Sequence, residues 1–454
     1  METYKDDLDW SFKAVHKFKV IIVGAGIGGL SSAIGLKKAG HDVVILEQVP
    51  EIGEVGAGIQ MAPNAARIMG RFGLLEKLMS KANALKRNSL RRWKDDTELG
   101  FAPLMPSIGE KYKAPLSVIH RGDLQAILLQ AVKDLEVPIR LGVCVEEVDP
   151  SFAARVKLHT GEWVQGDVVI GGDGVKSGIR SQMAQKYGQK DQAHPTGDAA
   201  YRVLIPKEMM KDDAKALELL HSDIAYRWMG PGGHIMAYPI KNNTVLNMVL
   251  LHPQKPTTED QESWTRKGDK QEMLDFYKEW NSTVRNLLSY VPEGEVMEWA
   301  LNSHLPLNTW VENRVVLIGD ACHPMLPYVA QGAAQAIEDA GVLTCALSMT
   351  DNADLALAVY ELVRKDRGER IQNSAATTRI SLHLPDGPEQ RARDAAIAGS
   401  TKEGAHNPDL WADREWQNFM WGTDVMKDTI ENWDKLVAQV KGVHTSTVKA
   451  VSSL

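Results

Sequence analysis

One stretch near the N-terminus limits the possible folds more than any other. It reads Lys19-Val-Ile-Ile-Val-Gly24-Ala-Gly26-Ile-Gly-Gly29-Leu-Ser-Ser and is followed by His41-Asp-Val-Val-Ile-Leu-Glu47. An apolar strand runs into a glycine turn, then a helix, then a second strand ending in a carboxylate, which is the order of a dinucleotide-binding unit. Gly24 permits the tight turn, Gly26 lets the backbone approach a pyrophosphate, and Gly29 lets the helix pack closely on the strand. Unpaired N–H groups at the helix N-terminus then meet the phosphates. Glu47 is placed to accept hydrogen bonds from an adenosine ribose. A glycine turn alone also occurs in α/β cores that bind nothing. The strand before it, the helix after it and the acid about 20 residues on make this one specific.

Length and composition set the remaining bounds. A chain of 454 residues exceeds one ordinary domain, so two intertwined domains with an appendage are expected. With 44% hydrophobic and 24% charged residues it has the composition of a globular protein. No run approaches the roughly 18 apolar residues that a membrane-spanning helix needs. Met1 to Trp10 is acidic and lacks the basic and apolar regions of a signal peptide, so the cytoplasm is the expected location. Cys144, Cys322 and Cys345 lie far apart, which argues for small buried side chains and against a disulfide framework, a redox pair or a metal cluster. A net charge of -7 argues against a nucleic-acid partner.

Further along the chain, three more segments carry chemistry. Gly56-Ala-Gly58-Ile-Gln-Met-Ala-Pro63-Asn64 is a glycine loop entering an alanine-rich helix, and such a loop can lie flat against a planar ring. Val168-Val-Ile-Gly-Gly-Asp173-Gly174-Val-Lys-Ser177-Gly-Ile-Arg180 is a buried strand ending in an Asp-Gly turn, where Ser177 and Arg180 either tie the turn together or meet a pyrophosphate. Arg314-Val-Val-Leu-Ile-Gly319-Asp320 again delivers an aspartate at the C-terminal end of a strand, where ligands sit in open α/β sheets. Asp320 is placed to bind a ribityl hydroxyl. The following Gly332-Ala333 turn opens a helix whose N-terminal partial positive charge suits the pyrimidine edge of a flavin. Between these segments, Val118-Ile-His-Arg121-Gly-Asp123 leads into an amphipathic helix through Val132.

On these residues the chain resembles the flavoprotein aromatic hydroxylases of the para-hydroxybenzoate hydroxylase fold. Gly24-x-Gly26-x-x-Gly29, Asp173-Gly174 and Gly319-Asp320 match that family's three fingerprints in order and spacing, and Arg121 matches its flavin-contacting arginine. Within the family the chain is most similar to salicylate hydroxylase and to fungal hydroxylases that tailor polyketides. The resemblance covers about residues 17 to 380. It implies an α/β architecture: a Rossmann-like FAD-binding domain built from residues 17–85, 110–185 and 295–370, and an inserted β-sheet substrate domain from 86–109 and 186–294. A C-terminal helical region, 371–454, completes it. Trp411, Trp416, Trp421 and Trp433 lie in that tail, where docking on the body is a more common use of such rings than a dimer surface.

The activity implied is that of a single-component monooxygenase using NADPH or NADH and O2 to hydroxylate a phenolic substrate through a flavin hydroperoxide. A salicylate-like acid and a fungal polyketide are the expected substrate types, with dearomatisation or decarboxylation depending on where oxygen enters. A phenol is mostly neutral at pH 7, yet its phenolate is the better nucleophile, so a cation beside the oxygen helps. Arg202, in Ala199-Ala-Tyr201-Arg202-Val, and Tyr238, in His234-Ile-Met-Ala-Tyr238-Pro239, match the phenolate clamp of similar fungal hydroxylases. An arginine on a strand otherwise pairs with a neighbouring acid. His323 and His234 are read as turn or core histidines in preference to general bases. No second GxGxxG is present, so the nicotinamide is expected to bind transiently across the cleft, partly against the Asp-Gly segment. Two other classes stay open at this point: a flavin oxidoreductase that inserts no oxygen, and a binding protein that retains only the fold. A monomer and a homodimer are equally compatible with the sequence.

Overall fold

The computed structural model describes residues 6–11, 13–53, 56–191, 193–254, 265–400 and 406–451. Two sheets organise these residues. The first has six strands in the order Val311–Glu312, Val315–Leu317, Val168–Gly171, Lys19–Val23, Asp42–Glu47, Ile139–Leu141. The last five run parallel, and the short edge strand pairs antiparallel. Its central strands are near-continuous apolar runs because helices cover both faces. Val20, Ile21, Ile22, Val168, Val169 and Ile170 have no exposed surface. Lys19–Val23, Val168–Gly171 and Val315–Leu317 lie side by side, so the three motifs read from the sequence emerge at one edge of one sheet.

The second sheet has eight strands: Thr265–Lys267, Met297–His304, Ala193–Pro206, Val245–Pro253, Gly233–Ile240, Ile224–Gly230, Arg87–Arg92 and Glu98–Pro103. Alternation along these strands sorts side chains onto two faces. Tyr201, Val203, Ile205, Leu246, Met248, Leu250, Ile235 and Ala237 point one way into a separate core under short helices such as Ala214–His221 and Ser282–Ser289. Ala200, Leu251, Met236, Val249 and Tyr238 point the other way, toward the core that includes the parallel sheet. The strand-like runs of the sequence at 199–204, 234–238 and 244–251 all fall in this sheet. Met297–His304 does too, although it lies inside the 295–370 stretch that the sequence assigns to the first unit. It pairs with Ala193–Pro206 across a bulge between Pro195 and Asp198.

The helix Gly332–Ser348 is buried along almost its whole length, and this burial requires a solution for its charges. Glu338 and Asp339 have no exposed surface. Arg364 and Arg367, from the long helix Ala353–Leu382, reach in at 2.5 Å and 2.7 Å to Glu338, and Arg364 Nε donates to Asp339 at 2.8 Å. Asp339 in turn accepts from the Gly319 backbone N–H at 2.8 Å and faces His323 Nε2 at 2.7 Å, so the turn before Asp320 is held from beneath. Burial works to raise the Asp339 pKa, but His323 and Arg364 overcome it and hold it at about 2. His323 is therefore part of the turn's support, as read from its place before a proline. Cys322, His323 and Asp339 bring their ligand-type atoms within 4.8 Å, but both Asp339 oxygens are already taken.

The tail packs on the body through its tryptophans. Arg227, on the second sheet, pairs with Asp409 and lies over the Trp411 ring at 5.4 Å. Trp411 meets Trp421 edge-on at 5.6 Å, and Trp421 meets Tyr112 at 5.9 Å. Trp416 and Trp433 are half-buried against the same core. Among the described residues, no helix is long and apolar enough to cross a membrane.

Candidate active site

The glycine turn after Lys19–Val23 has the geometry that its residues dictate. Gly24 has a φ of +100°, and a Cβ there would stand 2.3 Å from the Gly172 carbonyl oxygen, so this residue also lets the neighbouring strand end approach. A Cβ on Gly29 would stand 2.0 Å from the Gly24 carbonyl oxygen. Gly26 differs: a Cβ there meets nothing within 4 Å. Gly26 is also the N-cap of Ile27–Ala39 and supplies no side-chain acceptor, so the first-turn N–H groups are left to a ligand. Glu47 closes the other side. Its Oε2 accepts from the Ala25 N–H at 2.6 Å and its Oε1 from Val49 at 3.0 Å, which fixes the carboxylate beside the turn.

A second uncapped helix end faces open space at Gly332, where an added Cβ again meets nothing, and Ala333 follows in its first turn. Asp320 is walled in by protein yet opens its own surface to solvent. Burial raises its pKa above the ordinary carboxylate range, against the pull of His323, Arg121 and His304. Arg121 begins the helix Arg121–Asp134 and packs behind Gly56, whose Cβ would meet it at 2.9 Å. Its charge is felt at both Asp320 and Arg202, so the structure brings these three residues together. Two uncapped helix ends, a solvent-facing carboxylate set in a protein wall and an arginine fit a molecule with a pyrophosphate, a ribityl chain and an electron-poor ring.

The Asp-Gly segment resolves the choice left by the sequence. Asp173 accepts from Ser177 Oγ at 2.6 Å and from the Ile179 N–H at 3.2 Å, while Ser177 caps the helix by accepting from Arg180 N–H at 2.8 Å. Arg180 is 1% exposed. It donates to Asp191 at 2.7 Å and to the Leu305 carbonyl at 2.8 Å. These side chains tie the turn together, and Arg180 is sealed away from any pyrophosphate.

The inner face of the eight-stranded sheet supplies the other wall. Arg202 pairs with Val249, which pairs with Met236; Asn247 pairs with Tyr238. Paired residues share a face and so do residues two apart, so Arg202, Asn247 and Tyr238 lie on one surface. Gly58 reaches this surface from the glycine loop. Its N–H donates to Asn247 Oδ1 at 2.7 Å, and a Cβ on it would stand 2.6 Å from the Tyr238 ring. Burial raises the Tyr238 pKa, opposed by Arg202, so the hydroxyl stays protonated. Burial also lowers the Arg202 pKa. Among the described residues no carboxylate pairs with Arg202, and its Nε has no hydrogen-bond partner; the same holds for Asn247 Nδ2. Arg202 is half-buried, and a guanidinium so placed without a carboxylate partner is an arrangement that suits an anionic ligand.

A family model described as an FAD binding domain matches residues 17–375. The chain belongs to the FAD-binding-domain family. It is 39% identical over 415 residues to the FAD-dependent monooxygenase ntnJ of a Nectria species, covering 90% of this chain and 95% of that one. It is 32% identical to 3-hydroxybenzoate 6-hydroxylase 1 of Aquipseudomonas alcaligenes over 91% of this chain and 99% of that one. Among solved structures, a salicylate hydroxylase substrate complex superposes with a TM-score of 0.75 at 25% identity, covering 93% and 98% of the two chains. FqzB superposes with 0.78 at 28% identity, covering 95% and 96%. This chain is an FAD-dependent monooxygenase of that family. Of the three classes left open by the sequence, the comparisons favour the one that inserts oxygen.

Several residues beside the site lie outside the sequence motifs. Asn247 has a sequence signal of its own, as a lone amide in the apolar run Val245-Leu-Asn-Met-Val-Leu-Leu. Asp198 has none. It accepts from Tyr328 Oη at 2.5 Å and from both Nε and Nη2 of Arg379, at 2.5 Å and 2.7 Å, and these partners lie 130 and 181 residues away. His383 joins them and meets His234 at 2.9 Å. This cluster fastens the end of the long helix and the turn Pro327–Val329 to the eight-stranded sheet.

Proposed function

We propose that this monooxygenase hydroxylates a phenolic ring bound as its phenolate on the inner face of the eight-stranded sheet, with NADPH or NADH as the electron source. The supporting observation is Arg202, a half-buried cation with no carboxylate partner among the described residues, beside a protonated Tyr238. We assign FAD to Gly24, Gly26, Gly29, Glu47, Gly58, Arg121, Asp173, Asp320, Gly332 and Ala333. FAD, when bound, supplies the activation of dioxygen. The chain's own residues do the rest. Arg202 lowers the pKa of a phenol placed against it; an opposite charge at that range is worth about 1–3 pKa units. Tyr238 donates a hydrogen bond to the same oxygen and fixes the ring's orientation. The Gly58 backbone, pressed against the Tyr238 ring, holds that hydroxyl next to the cofactor loop.

The names of the relatives fit this reading: a hydroxybenzoate hydroxylase, a salicylate hydroxylase and a fungal monooxygenase. The substrate classes that follow are a salicylate-like phenolic acid and a fungal polyketide phenol, the latter within secondary metabolism. We place the enzyme in the cytoplasm as a monomer or homodimer. In the test, phenolic acids and alkylated resorcinol aldehydes are screened with native enzyme and Arg202→Ala. The variant should keep its yellow FAD and lose product formation by about 100-fold, the equivalent of two pKa units. Unchanged turnover in the variant removes Arg202 from the mechanism.

A further inference from the structure

We infer that Trp299 is a positioning residue that sets how tightly Arg202 binds an anionic ring oxygen; this rests on the reading of Arg202 given above. Trp299 lies on Met297–His304 and pairs with Ala200, two residues from Arg202, so both side chains rise from the same face of the sheet. The Arg202 guanidinium carbon stands 5.1 Å from the centre of the Trp299 ring. Arg202 is half-buried and no carboxylate pairs with it among the described residues, so this ring contact steadies the guanidinium.

The chemistry of the contact differs from that of an ion pair. A carboxylate would neutralise the charge and occupy the N–H donors. An indole face attracts the cation through its quadrupole, worth about 0.5–2 kcal/mol, and takes up none of the donors in the guanidinium plane. Arg202 is thus held over the ring, still charged, with its donors available to a ligand. The Trp299 Nε1–H is sealed and donates to no partner among the described residues, so the ring is fixed by its shape and strand, and its N–H contributes nothing that a phenylalanine would lose.

The test uses the FAD-loaded enzyme and 4-nitrophenol, whose neutral and ionised forms differ in colour, so that binding and ionisation are read without turnover. Trp299→Leu should bind the ionised probe about 2–30-fold more weakly than native enzyme, the equivalent of that cation–π range. Its FAD content and its affinity for 4-nitroanisole, which cannot ionise, should not change. Trp299→Phe, which keeps a ring face, should bind the ionised probe like the native enzyme. If Trp299→Leu does not fold, Trp299→Met, with similar bulk and no ring face, should show the same loss. Equal affinity for the ionised probe in native enzyme and the Leu or Met variant, with Arg202→Ala weakened, overturns the role of Trp299. Equal affinity in Arg202→Ala as well overturns the phenolate reading itself. A loss in Trp299→Phe as large as in Trp299→Leu also overturns the inference, because the ring face would then not be the cause.

Discussion

Replacing Gly29 with alanine tests whether the glycine turn is shaped by contact or by composition. The added Cβ would stand 2.0 Å from the Gly24 carbonyl oxygen, 3.2 Å from its carbon and 3.3 Å from Ile22 Cγ2. Relief requires the helix Ile27–Ala39 to lift from the strand by about an ångström, since carbon and oxygen do not approach much inside 3 Å. Gly24 cannot yield in its place, because its own position is limited by the Gly172 carbonyl on the next strand. Overpacking of this kind costs about 1–3 kcal/mol, and the strain falls on the N–H groups that are offered to the pyrophosphate. FAD affinity should therefore weaken by about 5–150-fold, read by the quenching of flavin fluorescence on titration into apoprotein. Gly70→Ala is the control: it lies in the helix Pro63–Arg71 and its Cβ comes no closer than 3.7 Å to Leu75. It should bind FAD normally and be stabilised by up to about 1 kcal/mol. A Gly29→Ala protein with native FAD affinity would refute the close packing on which the site is built.

Other consequences concern stability and charge. Glu338→Gln leaves Arg364 and Arg367 buried with half their counter-charge and should cost about 3–5 kcal/mol in urea unfolding; a loss below 1 kcal/mol would show that the network is held by shape alone. His41 and His383 are pushed down by burial to about 4, and His234 is lowered well below the ordinary histidine value for the same reason. A group whose folded pKa lies below its unfolded value contributes stability that is complete above the unfolded value, near 6.5, and is lost as pH falls toward the folded one. The urea midpoint should accordingly fall between pH 6.5 and pH 4, and a flat profile over that window would contradict the buried neutral histidines. Asp198→Asn unfastens Tyr328 and Arg379 from the sheet, and we expect faster proteolysis within the C-terminal helices with FAD retained; an unchanged cleavage rate would count against the fastening role.

The sequence carried the central strands of the parallel sheet and the glycine turns because their signals are local, whereas the short strand Ile139–Leu141 at its edge gave none. Glycines at fixed offsets, an apolar run and a terminal acid need no knowledge of the rest of the chain, and Gly24, Gly29, Glu47 and Asp320 fall where such reasoning puts them. The two-faced sheet was legible in part. Strand runs at 199–204 and 244–251 showed, but Met297–His304 joined the sheet from beyond the next boundary because strand pairing depends on register across a hundred residues. Arg180 illustrates a different limit. Its place after the Asp-Gly turn suited either a ligand or a structural tie, and only the arrival of Asp191 and the Leu305 carbonyl decides it. Arg202 could be singled out, but its lack of a counter-ion and its contact with Trp299 are properties of packing.

Oxygen transfer to a phenol held beside Arg202 is the step that the proposed function requires. Turnover of the best phenol from the screen under isotopically labelled dioxygen, with reduced nicotinamide present, measures this directly. One labelled oxygen atom in the organic product, in step with nicotinamide oxidised, is the expected result. A product that carries no label, or one labelled only from water, would contradict it.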